Sequence, residues 1–178
     1  MRISGYMLGF MLTFFGVAAA AEASVQVSFT APEHYTDAEM RRSAAEPTGL
    51  KTTLTGIESH LKALGERYLP ADQVLKIEVL DIDLAGRYEP GRPFAYDVRV
   101  MRETEWPRIK LRYTLQNKAG TVLAQGEETL RDQNYLHHVS NYRAPDDLRY
   151  EKAMLDDWFQ ARLASRPGAQ SVSSRPGN

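Results

Sequence analysis

The stretch RIKLRYTLQNKAGTVLAQGEETL, residues 108–130, decides the fold class of this chain. In its first half apolar side chains alternate with basic ones, which predicts a strand with one buried and one solvated face. Residues 117–120, NKAG, have the composition of a turn, and a second strand is predicted to return over 121–130. Two strands joined by so short a turn form an antiparallel hairpin.

The four-residue turn also predicts the register of the hairpin. If Gln116 lies opposite Thr121, then Ile109 lies opposite Glu128 on the buried face. An inward carboxylate is costly unless it is paired, hydrogen-bonded or protonated. Glu128 is therefore predicted to meet an arginine at the rim of a polar pocket, and the candidates are Arg87, Arg92 and Arg102. The alternative is a bulge at Gly126 that turns Glu128 towards solvent.

Helices and further strands are predicted on both sides of the hairpin. Apolar residues recur at helical spacing over 50–68, and Pro70 ends that helix. A second stripe at the same spacing covers 148–163. Alternating apolar residues predict strands over 25–29 and 75–84.

Two irregularities interrupt the predicted strands. The alternation slips by one residue at Val79-Leu80, which predicts a β-bulge there or a strand that is apolar on both faces. The extended segment 97–116 is too long for one strand, and Trp106-Pro107 is predicted to break it because proline cannot donate to a strand ladder.

The order of elements predicts an α+β fold. Consecutive strands make a mainly antiparallel sheet of four to five strands, and each helix has one apolar face to bury. We therefore expect a two-layer sandwich with both helices packed on one face of the sheet.

The amino terminus predicts export from the cytoplasm. Arg2 is followed by an uncharged segment and then by Ala21-Glu22-Ala23, the pattern of a signal peptide with an A-x-A cleavage site. Residues 1–23 are predicted to be cleaved, which places the protein in the periplasm without a permanent membrane anchor. The alternative is a retained anchor, because the uncharged segment is just long enough to span a bilayer.

The rest of the chain divides into one domain and a tail. Residues 24–164 are predicted to form a single α+β domain, and residues 165–178 a disordered tail rich in Ser, Pro and Gly. The chain contains no cysteine, which excludes lipid attachment at the cleavage site, disulfides and thiolate metal sites. The formal net charge of −1 gives no reason to expect a nucleic-acid partner.

Several blocks of sequence resemble one family. The segments EVLDIDLAG (78–86), WPRIKLRY (106–113), GEE (126–128) with DQNYL (132–136), and YEK (150–152) with LDDWF (155–159) are similar to bacterial exported proteins grouped as domain of unknown function 3016. The resemblance covers about residues 25–163. It implies export and a single domain, and it brings no catalytic residue with it.

Metal and catalytic patterns are weak in this sequence. Asp81 and Asp83 share one face of a strand and could hold a hard cation or act as an acid and a base. No third ligand follows at a defined spacing, so solvated acids at the end of a strand are the favoured interpretation. His137-His138 point in opposite directions if that segment is extended, so the two cannot ligate one ion there. No nucleophile elbow, phosphate-binding glycine loop or dinucleotide fingerprint is present. We therefore predict no catalytic residues, metal ligands or cofactor.

Aromatic and arginine residues mark the candidate binding surface. The loop 86–97 and the strip that begins at Trp106 are rich in both residue types, which favour interfaces. The alternative for the strip is an edge strand whose cations block aggregation. The predicted ligand- or partner-binding residues are Arg87, Tyr88, Arg92, Tyr96, Trp106, Arg108 and Glu128.

These observations predict a binding function. We expect a non-catalytic periplasmic module, more a binding or envelope-associated protein than an enzyme, whose partner is an envelope protein or a small ligand. The alternative is a metal-assisted hydrolase that uses Asp81, Asp83 or Glu128.

Overall fold

The computed structural model describes residues 24–40, 49–89, 98–138 and 146–164. The strands are β1 (Ser24–Phe29), β2 (Gln73–Asp83), β3 (Arg87–Tyr88), β4 (Arg99–Val100), β5 (Arg108–Asn117) and β6 (Val122–Arg131). The α-helices are α1 (Gly49–Tyr68), α2 (Tyr135–His138) and α3 (Arg149–Phe159). A short 3-10 helix, Pro32–His34, follows β1, and a π-helical turn, Gln160–Ala164, extends α3.

The main sheet has four strands in the order β1-β2-β5-β6. β1 runs parallel to β2, whereas β2 with β5 and β5 with β6 are antiparallel. β3 and β4 form a separate two-stranded antiparallel sheet. The mixed α+β architecture confirms the predicted fold class. β5 lies inside the sheet, so the interpretation of its basic residues as protection of an edge strand is wrong.

The predicted irregularities are confirmed, but the hairpin register is not. The β2–β5 register shifts between Val79 and Asp81, which confirms the bulge. The β5–β6 register differs from the predicted one by two residues, so that Leu111 instead of Ile109 lies opposite Glu128. Gln116 pairs with Val122 instead of Thr121, and a second bulge between Leu115 and Gln116 adds the other residue. A bulge adds one residue to one strand only, and the sequence at this turn carried no signal for it.

Both long helices pack against the inner face of the main sheet. Ile57 and Leu61 of α1, and Leu155 and Phe159 of α3, belong to one hydrophobic core with the inner side chains of the sheet, among them Leu75, Ile77, Val79, Leu111 and Leu115. α1 approaches β1 closely at Gly65, where an added Cβ would lie 2.1 Å from Val25 Cγ2. This layer of helices covers one face of the sheet, while charged side chains of the outer face, such as Lys110 and Arg112, are about half exposed.

Some predictions fall outside the described residues. These are the signal peptide (1–23), the disordered tail (165–178), Arg92 and Tyr96. Within the described segments, no helix combines the length and the apolar character needed to span a membrane.

Candidate functional site

A cleft of about 310 Å³ opens beside the segment that follows β1. Its lining includes the side chains of Glu33, Tyr35, Asp37, Leu50 and Tyr88. These residues come from three parts of the chain: the connection after β1, the start of α1, and β3. The cleft therefore combines two phenol rings, an aliphatic side chain and carboxylates.

Hydrogen bonds to the end of β2 hold the connection after β1 in place. The backbone N–H and the hydroxyl of Thr36 donate to the two carboxylate oxygens of Asp81, at 2.7 and 2.8 Å. Asp37 N–H then donates to Ile82 O at 3.0 Å, and Leu84 N–H donates to Asp37 O at 2.9 Å. Asp37 thus runs parallel to Asp83 as a short continuation of the sheet. Asp81 serves this structural purpose in the described structure.

Tyr35 forms a fixed wall of the cleft. Its hydroxyl donates to the carbonyl of Val79 at 2.7 Å. Burial, more than the nearby carboxylates, raises the pKa of Tyr35 to about 12. The phenol is therefore neutral throughout the physiological range and acts as a donor to the backbone.

Arg99 is the centre of a buried polar network next to the cleft. Only 4% of its side chain is exposed, and its Nη2 donates to Asp37 Oδ2 at 2.8 Å. The same guanidinium donates to three consecutive backbone carbonyls, those of Leu84, Ala85 and Gly86, at 3.2, 3.0 and 2.7 Å. It also lies over the Tyr88 ring, with Cζ 4.8 Å from the ring centroid. Arg99 thus fixes the turn that leads from β2 into β3.

Asp83 is the other carboxylate of this network, and it is more deeply buried than Asp37. Arg108 donates to Asp83 Oδ2 through Nε, at 3.1 Å, and through Nη2. Arg87 pairs with Asp83 Oδ1 at 3.1 Å and with Asp37 Oδ2 at 3.2 Å. We call Asp37, Asp83, Arg87, Arg99 and Arg108 the arginine–aspartate network. It joins the predicted residues Arg87 and Arg108, and Tyr88 lies against it.

A small aromatic cluster lies beside the network. Tyr135 and Tyr150 meet edge to face with ring centroids 4.8 Å apart, and Trp106 packs against this cluster. Trp106 is therefore partly buried against a packed cluster, whereas the cations that follow it, Arg108, Lys110 and Arg112, are about half exposed.

Glu151 on α3 is a buried acid next to this cluster. Ala85 N–H donates to its Oε1 at 2.8 Å, while its Oε2 has no hydrogen-bond partner among the described residues. Burial raises the pKa of the Glu151 carboxyl, and the bond from Ala85 opposes that rise in part.

Glu128 lies apart from the network. Its side chain faces inward and is half-buried, as predicted, but its partner is Arg162, whose Nε lies 3.3 Å from Glu128 Oε2. The predicted pairing with Arg87, Arg92 or Arg102 is therefore wrong for the described candidates, because Arg87 binds aspartates and Arg102 pairs with Glu89 and Glu105. The π-helical turn after α3 brings Arg162 to Glu128, and no local pattern announced that turn.

Sequence reasoning missed Asp37, Arg99 and Glu151 as parts of this site. Asp37 lies in a polar stretch, Arg99 in a two-residue strand, and Glu151 in an ordinary amphipathic helix. Each residue belongs to the site only because segments distant in the sequence pack around it. The sequence near each residue therefore carries no signal that it belongs to a site.

The histidines and carboxylates do not form a metal centre in the described part of the chain. No three His, Asp or Glu side chains there are grouped to hold an ion. His137 and His138 end the short helix α2, so this segment is neither a loop nor an extended strand. His60 bridges α1 and α3 through Nε2, 2.8 Å from Asp156 Oδ1 and 3.2 Å from Lys152 O.

The fold and the site define a two-layer α+β protein with an arginine–aspartate network and an adjoining cleft at one end of its sheet. The chain belongs to the family of proteins of unknown function DUF3016, whose model matches residues 23–161. No curated protein matches the chain significantly.

Among solved structures, the chain is similar to a point variant of the PelC dodecamer from Paraburkholderia phytofirmans. The two sequences are 14% identical, the match covers 85% of this chain and 94% of that one, and the TM-score is 0.33.

Proposed function

We propose that this protein is exported through a cleavable signal peptide and works in the periplasm as a non-catalytic binding module. Its partner would be a small ligand or a segment of an envelope protein that occupies the cleft beside Tyr35 and Tyr88. The amino-terminal pattern of residues 1–23 supports export. The cleft supports the binding role.

The observation that carries the binding role is the construction of the cleft. Concave sites lined by aromatic and aliphatic side chains with a few placed polar groups are typical of ligand binding. Here Tyr35 is anchored to Val79 by a hydrogen bond, and Tyr88 is supported from behind by the buried guanidinium of Arg99. Walls held in this way need little reordering on binding, which lowers the entropic cost.

A ligand screen with matched variants tests the binding role. The protein purified from the periplasmic fraction would be screened by NMR against a library of small polar molecules and short peptides. We expect the molecules that bind to shift the NMR signals of Tyr35 and Tyr88. We expect Tyr88→Ala to lower their binding affinity about tenfold or more. Leu123→Ala is the control, because Leu123 is an exposed apolar side chain at the opposite end of the sheet.

Fractionation of native cells tests export separately. Mass spectrometry of the periplasmic protein is expected to find an amino terminus at Ser24. An intact leader in the inner membrane would contradict export.

The ligand screen has its own negative outcome. If Tyr88→Ala and Leu123→Ala weaken ligand binding equally, the proposal that ligands bind in the cleft is wrong.

A further inference from the structure

Two arginine side chains of the arginine–aspartate network remain partly exposed although a buried carboxylate holds both. Arg87 and Arg108 are 41% and 43% exposed, whereas the Asp83 side chain between them is 5% exposed. Asp83 Oδ2 accepts hydrogen bonds from Arg108, whereas Arg87 Nη2 lies 3.1 Å from Asp83 Oδ1 as an ion pair without hydrogen-bond geometry. The two guanidiniums are therefore neighbours that both reach solvent.

The network carries an excess of positive charge. It contains three guanidiniums, those of Arg87, Arg99 and Arg108, and two carboxylates, those of Asp37 and Asp83. Glu151 lies nearby, but its raised pKa favours the neutral form, so it offsets this excess less than an ordinary carboxylate would.

Donors remain available on the two exposed arginines. Arg87 donates a hydrogen bond to Asp37 through Nη1, and Arg108 donates to Asp83 through Nε and Nη2. Among the described residues nothing accepts a hydrogen bond from Arg87 Nε or Arg108 Nη1. A guanidinium presents five N–H donors in a rigid fork that matches carboxylate and phosphate oxygens.

We propose that Arg87 and Arg108 together bind an oxyanion, a carboxylate or phosphate group, on their exposed side. Asp83 orders both guanidiniums before the anion arrives, so binding costs little side-chain entropy. Hydrogen bonds between ionised groups are the strong class. Here both guanidiniums contact the same carboxylate and both remain partly exposed. This site does not depend on what occupies the cleft beside Tyr88.

Titration with simple anions tests the site. Inorganic phosphate and acetate are added separately to the purified protein, with sodium chloride holding the ionic strength constant. We expect saturable shifts of the Arg87 and Arg108 Nε–H signals, and the anion that binds more tightly identifies the group. Arg87→Gln and Arg108→Gln are each expected to weaken binding about tenfold or more.

Arg112→Gln is the matched control. Arg112 lies on the same strand as Arg108, is 52% exposed, and pairs with Glu78 and Glu127 instead of a buried carboxylate. The proposal is overturned if neither anion gives a saturable response, or if Arg112→Gln weakens binding as much as the other two changes. If Arg108→Gln fails to fold, Arg87→Gln decides, because Arg99 and Arg108 still pair with Asp37 and Asp83 in that variant.

Discussion

Two sets of arginine–carboxylate pairs in this molecule use the same chemistry in opposite environments. On the outer face of the sheet, Arg112 bridges Glu78 and Glu127 at 2.6 and 2.9 Å, and Lys110 adds a further pair to Glu127. At the end of the sheet, Arg99 and Asp37 form an ion pair of similar length, but their side chains are only 4% and 17% exposed to solvent.

The difference in burial changes what each set can do. Exposed pairs gain little because water and salt screen them. A buried charge that loses its partner is left without solvation, so a buried pair is costly to break even where its net contribution is small. The outer pairs therefore contribute little to stability, whereas the arginine–aspartate network holds together the turn and strands that border the cleft.

The sharpest test of this contrast is Arg99→Ala. The change leaves Asp37 with fewer partners and removes the donor to the carbonyls of Leu84, Ala85 and Gly86. We expect the free energy of unfolding to fall by about 3–5 kcal/mol, measured by urea denaturation. A loss below about 1 kcal/mol would show that the network behaves like the surface pairs.

A glycine pair measures how tightly the backbone is packed beside the network. Gly86 has φ +71°, and an added Cβ would lie 2.6 Å from Val100 O, whereas Gly120 has φ +82° with nothing within 4 Å of the same position. We expect Gly86→Ala to cost about 2–3 kcal/mol or more, and Gly120→Ala about 1 kcal/mol from φ alone. Equal losses in thermal unfolding would mean that the turn at Gly86 is free to relax.

Glu151→Gln tests a buried acid through the pH dependence of stability. Because the folded-state pKa of Glu151 is raised, its neutral form is favoured on folding, and the stability it contributes is present below the unfolded pKa. That contribution is lost as pH rises from the unfolded value through the folded one. We therefore expect the free energy of unfolding of the unaltered protein, relative to Glu151→Gln, to fall over this window in urea titrations from about pH 4 to neutrality. A constant difference between the two proteins would contradict the raised pKa.

The smallest effect is expected for Arg112→Ala on the outer face. The hydrogen bond from Thr30 lowers the pKa of Glu78, and hydrogen bonds from Lys110 and Arg112 lower the pKa of Glu127. The stability that these two carboxylates contribute is therefore present above their unfolded pKa and is lost as pH falls through the folded pKa. At neutral pH we expect a change in melting temperature close to measurement error, and smaller still in high salt. A loss comparable with that of Arg99→Ala would remove the contrast between the two sets.

Helices and strands could be predicted where the periodicity of apolar residues is strong, whereas the arginine–aspartate network could not be predicted. The stripe over 50–68 became α1, and the slip at Val79-Leu80 became a bulge, because burial of a face leaves a local mark on the sequence. The predicted β5–β6 register was wrong by two residues, because Gln116 pairs with Val122 instead of Thr121 and a bulge beside Gln116 adds one further residue. Arg87 and Arg108 were named as binding residues, but Asp83, which pairs with both, was considered only as a strand-end acid, a metal ligand or a catalytic acid or base.

The sequence by itself determined the alternation and helical spacing of apolar residues, and with them the α+β class, the helices and the two-faced strands. Tertiary structure alone decided that β1 lies parallel to β2, that Glu128 meets Arg162, and that Asp37 and Arg99 converge beside a cleft. The reason is physical: hydrophobic burial acts through near neighbours in the chain, while a buried charge is satisfied by whichever distant segment the packing brings to it.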